Sequence, residues 1–305
     1  MVEVVENPIV TSWSEIDTYR QCPFKHMLGY RERWSEPSVS MALQKGNLWH
    51  AVLEQHYLGI RALGAKTRSN KTLKAAVLAV DELLGNRDPD ELQELIRWMY
   101  NGYTEKYMFD ADWEIVEVEW KGFAPLPNPS GGPSRFMLKV KIDLIIRFRG
   151  RLWVVDHKSG KDLPGEKELD LDDQFGLYTW AMRQVGTPVM GSIHNAARTQ
   201  RNKGFMELDT RMARTFLTRT DIELDTIAKE AYMTADKMWP QEFDPHHLPE
   251  RTPNTDTCRW KCSFTEACLF SRKGGNLEGM LKAHGCSKRQ FRDVELEWEA
   301  FKAKD

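Results

Sequence analysis

The chain has 305 residues, 41% hydrophobic and 29% charged, which suits a globular protein of one large or two small domains and excludes a disordered one. No apolar run is long enough to span a bilayer, and residues 1–10 lack the basic-then-apolar layout of a secretory signal, so a cytoplasmic protein is expected. The formal net charge of -2 provides no global positive field for a polyanion and leaves that task to local patches.

In chain order, residues 12–34 carry a helical rhythm of Trp13, Ile16, Tyr19, Phe24 and Leu28, with Ser12 or Ser14 as cap and a restart at Pro23. Residues 41–61 repeat the rhythm through Leu43, Leu48, Val52, Leu53 and Tyr57, and 70–108 do so with a polar interruption from Gly85 to Pro89. The period then changes to two. Trp113–Phe123 alternates as a strand, 124–134 is a Pro/Gly/Ser loop, and two strands follow, Phe136–Phe148 and Leu152–His157, parted by Arg149-Gly150. A helix over about Leu171–Val185, a strand over Val189–Asn195 and one long helix over 209–238 precede a cysteine-rich segment and a charged tail. This order predicts an α/β core with a helical insertion. The expected divisions are an N-terminal helical region (1–110), a core (111–240) and a cysteine cluster with tail (241–305), all within one integrated domain. No segment reads G-x-x-x-x-G-K-[ST], so no P-loop motor is expected within these residues. Arg198, Arg201 and Lys203 form a candidate basic patch, with a solvated loop as the equal alternative.

The hairpin carries the chemistry. If Arg149-Gly150 is a two-residue turn, counting back along both strands sets Asp143 opposite Asp156, with Cβ atoms roughly 4.5–5.5 Å apart. Lys158 shares that face because strand side chains alternate. Facing carboxylates on apolar strands are destabilising unless a cation offsets them, and hard oxygen donors suit Mg²⁺ or Mn²⁺. Lys158 would then stabilise charge developing on a phosphate or orient the attacking water. A solvated edge hairpin explains the same spacing equally well, since register slips by one residue.

Val154-Val-Asp-His-Lys-Ser-Gly-Lys161 resembles the D-x-K strand of the RecB-like exonuclease branch of the PD-(D/E)XK nuclease superfamily. Ser12-Trp-Ser-Glu-Ile-Asp-Thr-Tyr-Arg-Gln-Cys-Pro-Phe24 is similar to that branch's opening S-x-S-x-[LI]-x-x-[YF]-x-x-C-P-x motif. Gly46-Asn-Leu-Trp-His-Ala-Val-Leu-Glu54 is similar to its G-x-x-x-H-x-x-L-E helix, and Gln174-Phe-Gly-Leu-Tyr178 to its Q-x-x-x-Y helix. A lone D-x-K arises by chance; the ordered set, running from about residue 12 to 268, does not. The resemblance implies a restriction-endonuclease-like core with a mixed central sheet flanked by helices. It makes His50, Asp143, Asp156 and the backbone carbonyl of His157 metal ligands, and Lys158 the catalytic lysine. Gln174 and Tyr178 would support the site and contact DNA. Glu117 and Glu119 are candidates for a further carboxylate, against the ordinary reading of outward charges on a strand.

Cys258-x₃-Cys262-x₅-Cys268 offers three thiolates, too few for a closed four-coordinate site, and Cys22 in the opening motif is the simplest fourth. The spacing leaves zinc and an iron–sulfur cluster both open. The resemblance to the iron–sulfur nucleases of this superfamily, in AddB and the CRISPR adaptation nucleases, implies a [4Fe–4S] cluster. The usual form there has two residues between the first pair, where this chain has Arg259, Trp260 and Lys261. The cluster would tie distant ends of the domain together and place Arg259 and Trp260 against DNA. Cys286 falls outside the pattern and reads as a free thiol.

The resulting expectation is a metal-dependent DNA exonuclease acting on single strands or ends in recombination, repair or phage DNA metabolism. The alternative is a DNA-end processing or binding module serving a helicase, recombinase or CRISPR adaptation integrase.

Overall fold

Ser12 ends the first strand and starts the first helix: β1 (Val4–Ser12) passes into α1 (Trp13–Gln21), and the Ser12 hydroxyl accepts from the Glu15 amide at 3.4 Å. A computed structural model of the chain describes residues 2–35, 40–62, 64, 70–85, 90–201, 204, 206–240, 248–260 and 262–303. Cys22 is extended, and Pro23 opens α2 (Pro23–His26) where a missing amide costs nothing. One π-helical turn, Met27–Arg31, and a two-residue strand, β2 (Trp34–Ser35), follow. The next helices are α3 (Met41–Ala62), α4 (Asn70–Leu84) and α5 (Glu91–Tyr107). A reciprocal box starts α5, with Asp90 Oδ1 accepting from the Gln93 amide and Gln93 Oε1 from the Asp90 amide. Three consecutive left-handed residues, Met108, Phe109 and Asp110, follow its end.

β3 (Glu114–Pro125), β4 (Ser134–Phe148) and β5 (Arg151–Gly160) come next. Between β4 and β5, Arg149 and Gly150 take positive φ of 49° and 75°, as a type I′ turn requires. The chain continues through α6 (Glu166–Asp170), α7 (Asp173–Gln184), β6 (Val189–Arg198), α8 (Leu208–Arg211), β7 (Met212–Leu217) and α9 (Asp221–Met238). It closes with α10 (Thr255–Trp260), α11 (Thr265–Arg272), α12 (Leu277–Ala283), β8 (Ser287–Lys288) and α13 (Asp293–Lys302).

The long helix expected over 209–238 is therefore two short elements and α9. Residues 212–217 pair antiparallel with β6, from Ser192↔Leu217 to Ala197↔Met212, and that ladder overrides local helical rhythm. Val4–Ser12, for which the sequence carried no strand expectation, is extended because it lies parallel to Phe136–Lys139.

The chain divides into two compact units and passes between them within β3, β4 and α9. In the unit of residues 40–121 and 141–227, the sheet is mixed: β4 and β6 flank β5, antiparallel and parallel respectively, and β7 closes antiparallel on β6. Trp49, Val52, Leu53 and Tyr57 of α3, with Ile96, Met99 and Tyr103 of α5, bury one face against Leu144, Ile146, Val155 and Ile193. The alternate β6 residues meet α7 instead, through Ser192 with Thr179 and His194 with Phe175. This is the α/β layout of a mixed sheet flanked by helices.

In the unit of residues 1–39, 122–140 and 228–305, Phe24, Leu28, Trp34, Phe264, Ala267, Leu281 and Cys286 form a core, with Cys22, Cys262 and Cys268 against it. A buried polar cluster lies in the same unit. Arg292 Nη2 meets Glu15 Oε2 at 2.6 Å and the Val10 carbonyl at 2.8 Å, while His26 Nε2 lies 3.1 Å from Glu15 Oε1. Among the described residues no helix is long and apolar enough to cross a membrane.

Candidate active site

The type I′ turn sets the hairpin register from Phe148↔Arg151 to Leu144↔Val155, and Asp143 and Asp156 are the residues just beyond that last pair. Both acids are 8% exposed. There a side chain replaces the ladder bond, for Asp143 Oδ2 accepts from the His157 amide at 2.8 Å. Asp143 Oδ1 lies 3.3 Å from His50 Nδ1, which α3 carries one turn before Glu54. Burial alone would raise the Asp143 pKa. The hydrogen bond and charge of His50, the charge of His157 and the His157 amide outweigh it and hold the carboxyl well below the usual range. Burial lowers the His50 pKa, but Asp143 reverses this and raises it overall.

Asp156 is placed differently. Its Oδ2 is 2.7 Å from Lys158 Nζ, though without the angle of a hydrogen bond, and its Oδ1 accepts from Gln174 Nε2 at 3.3 Å. Lys158 Nζ in turn donates to Gln174 Oε1 at 3.0 Å. Gln174 is held by the start of α7, where its amide donates to Asp172 Oδ1 at 2.9 Å. Burial and the nearby Asp143 charge push the Asp156 carboxyl up despite the opposing pull of Lys158. Burial would lower the Lys158 pKa, yet the Asp156 charge outweighs it and raises it well above its ordinary value. Tyr178, one turn beyond Gln174, is pushed up to about 12, first by burial and then by the Asp156 charge.

His157 turns its side chain to the other face of the sheet, stacking on Tyr57 at 5.5 Å, and burial drives its pKa down to about 3. The structure thus brings together all the nominated residues of this unit: His50, Asp143, Asp156, His157, Lys158, Gln174 and Tyr178. Glu117 and Glu119 pair elsewhere, with Arg61 at 2.7 Å and Lys141 at 2.6 Å. His194, in register beside Asp156, escaped the sequence reading because only the parallel β5–β6 pairing puts it there. Burial lowers its pKa to about 4, and its Nδ1 has no hydrogen-bond partner among the described residues.

Two carboxylates and an imidazole form a donor set suited to a divalent cation. The buried Asp156 Oδ2, without a directional donor, also fits such an ion. No three His, Cys, Asp or Glu side chains among the described residues stand together as a ready-made shell.

In the other unit, Cys22, Cys258, Cys262 and Cys268 line one cavity of about 300 Å³ with Phe24, Phe264 and Arg251. Burial pushes the Cys268 thiol up, and a hydrogen bond from Arg251 opposes this. Cys286 sits in the hydrophobic core. Arg198 donates to the Lys161 carbonyl at 2.9 Å, and the exposed Arg201 donates to that of Glu94. Lys203 and the Trp260 side chain lie outside the described residues.

One subunit of the ATP-dependent helicase/deoxyribonuclease of Symbiobacterium thermophilum is 28% identical over 216 residues, 60% of this chain but only 18% of that protein. The crystal structure of a candidate exonuclease from Eubacterium rectale aligns over 83% of this chain and 88% of its own, at 16% identity and a TM-score of 0.47. The sequence profile of the PD-(D/E)XK nuclease superfamily matches residues 10–269, which take in every nominated side chain, and the chain belongs to that superfamily.

Proposed function

We propose that the protein is a metal-dependent DNA exonuclease working on single strands or ends, and that His50, Asp143, Asp156 and the His157 carbonyl hold Mg²⁺ or Mn²⁺. The observation that carries this reading is the end of the hairpin ladder, where two buried acids lie just beyond the last pair, with Lys158 beside one and His50 beside the other. Such a cation, when bound, polarises a phosphoryl oxygen and lowers the pKa of water. Lys158, a cation 2.7 Å from Asp156, supplies fixed positive charge where a phosphodiester gains negative charge. Gln174 holds Lys158 and Asp156 in one geometry by bonding to both. Tyr178 stays protonated and offers a hydroxyl to the same pocket.

Cys22, Cys258, Cys262 and Cys268 are proposed to hold a [4Fe–4S] cluster of structural role, with zinc the other candidate for four thiolates. Their common cavity supports this. Similarity to part of a helicase/deoxyribonuclease supports a helicase-bearing partner and a role in recombination or repair. The test is degradation of 5′- and 3′-labelled single- and double-stranded DNA with and without Mn²⁺. Stepwise shortening of one labelled end only with metal is expected; no cleavage of any substrate with Mn²⁺ present would refute the reading.

A further inference from the structure

Behind the acids, on the opposite face of the sheet, lies a buried polar network. Arg214 of β7 is forked: Nη1 and Nη2 both bond Asp110, the second at 3.0 Å, while Nε donates to Asn195 Oδ1 at 2.9 Å. Its Nη2 also donates to Tyr103 Oη at 2.7 Å. Asn195 Nδ2 lies 2.8 Å from both Tyr103 Oη and His157 Nδ1, and Tyr57 Oη lies 2.5 Å from Tyr103 Oη and 2.8 Å from Asp110 Oδ2.

Every proton in this network is determined by its two ends. A guanidinium only donates, so the Asn195 atom facing Arg214 must be the oxygen and the atom facing His157 the amide nitrogen. His157 Nδ1 is therefore the acceptor and its proton sits on Nε2. A carboxylate only accepts, so Tyr57 donates to Asp110 and Tyr103 donates to Tyr57. The network has one hydrogen-bonded arrangement, and it ends on the ring of the residue whose amide binds Asp143.

Stability alone does not account for such an arrangement. A buried ion pair is often matched or bettered by apolar side chains of similar volume. Asp110 is also presented by three successive left-handed, non-glycine residues, a backbone region that L side chains rarely adopt. We propose that Asn195 and Arg214 are positioning residues: through the His157 ring they orient the His157 backbone, and so set Asp143 and the His157 carbonyl for the cation. The inference rests on the metal site proposed above. Outer partners of this kind are worth about 10- to 100-fold in metal affinity or activity when removed.

The test is Mn²⁺ titration of the full chain by electron paramagnetic resonance, read beside circular dichroism and the metal dependence of DNA cleavage. Asn195→Ala, and Arg214→Lys, which keeps the buried charge but not the fork, should fold and bind Mn²⁺ about 10- to 100-fold more weakly. Their cleavage should recover as Mn²⁺ is raised. Thr179→Val serves as the control, because it removes the 2.8 Å Thr179–Ser192 bond in the same unit without touching the network, and it should leave Mn²⁺ affinity unchanged. Parent-like Mn²⁺ affinity in folded Asn195→Ala overturns the inference, and so does equal weakening by Thr179→Val. If the parent binds no Mn²⁺, or Asp156→Ala binds it as the parent does, the metal site itself fails and this inference fails with it.

Discussion

The amide of His157 bonds the carboxylate of Asp143 at 2.8 Å, just beyond the last pair of the hairpin ladder. One residue thus fixes an acid from the front by its backbone and joins the buried network behind by its ring.

Asp143→Ala, Asp156→Ala and Lys158→Ala should each lower Mn²⁺-dependent DNA degradation by about 10²–10³-fold or more, the scale of losing one preorganised electrostatic partner. Circular dichroism should match the parent. Undiminished cleavage in any of the three would remove that residue from the site.

Divalent cation should raise the melting temperature of the parent, because a ligand that binds only the folded chain stabilises it by mass action. Asp156→Ala should lose most of that rise. An equal rise in both proteins would place the cation elsewhere.

Acid should destabilise the chain between pH 6.5 and 5. His157 and His194 are held by burial at about 3 and about 4, and burial also lowers His26. Above their ordinary value near 6.5 these rings are neutral in both states and stability is complete. Below it the unfolded chain takes up protons that the folded chain refuses, and stability falls by about 1.4 kcal/mol per pH unit per ring. The raised His50 adds no loss in this window, since its stabilisation is present below 6.5 and lost as pH rises. His194→Gln should show a shallower fall in denaturant-derived stability; an unchanged slope would contradict the assignment.

Arg292→Met should cost the unit of residues 1–39, 122–140 and 228–305 about 3–5 kcal/mol, because it removes the guanidinium partner of the fully buried Glu15 and leaves it only Thr11 and His26. Adding Glu15→Gln should restore part of the loss in chemical denaturation. A single variant as stable as the parent would show that the Arg292–Glu15 pair does not carry this stability.

Anaerobically purified protein should be brown and contain iron, with colour lost in Cys258→Ser and Cys22→Ser. Colourless protein with stoichiometric zinc would replace the cluster by the other metal.

The hairpin was legible because a two-residue turn fixes the register of everything behind it, so the ladder as far as Leu144 and Val155, beside the two acids, could be reached by counting. The helices α3, α5 and α7 were legible from their apolar period. β7 was not, because its extended shape comes from the ladder with β6 and not from Met212–Leu217 themselves. Asn195, Arg214 and Asp110 left no local trace either. They are ordinary polar residues 19 and 104 positions apart; strand pairing joins Asn195 to Arg214, and the turn after α5 brings Asp110 to them. The carbonyl contacts of Arg198 and Arg201 were equally hidden, since their partners lie 37 and 107 residues away.

The interleaving of the two units has a consequence for synthesis. The unit bearing the acids is complete once the ribosome has passed Ile227, whereas the unit that begins the chain still lacks Ala228–Asp305. The N-terminal residues must therefore wait, with Phe24 and Leu28 unburied, for Phe264 and Leu281 to emerge. The usual order of vectorial folding, first-made first-folded, is reversed here, and the segment carrying Cys22 is the one most exposed to chaperones and proteases in the interval.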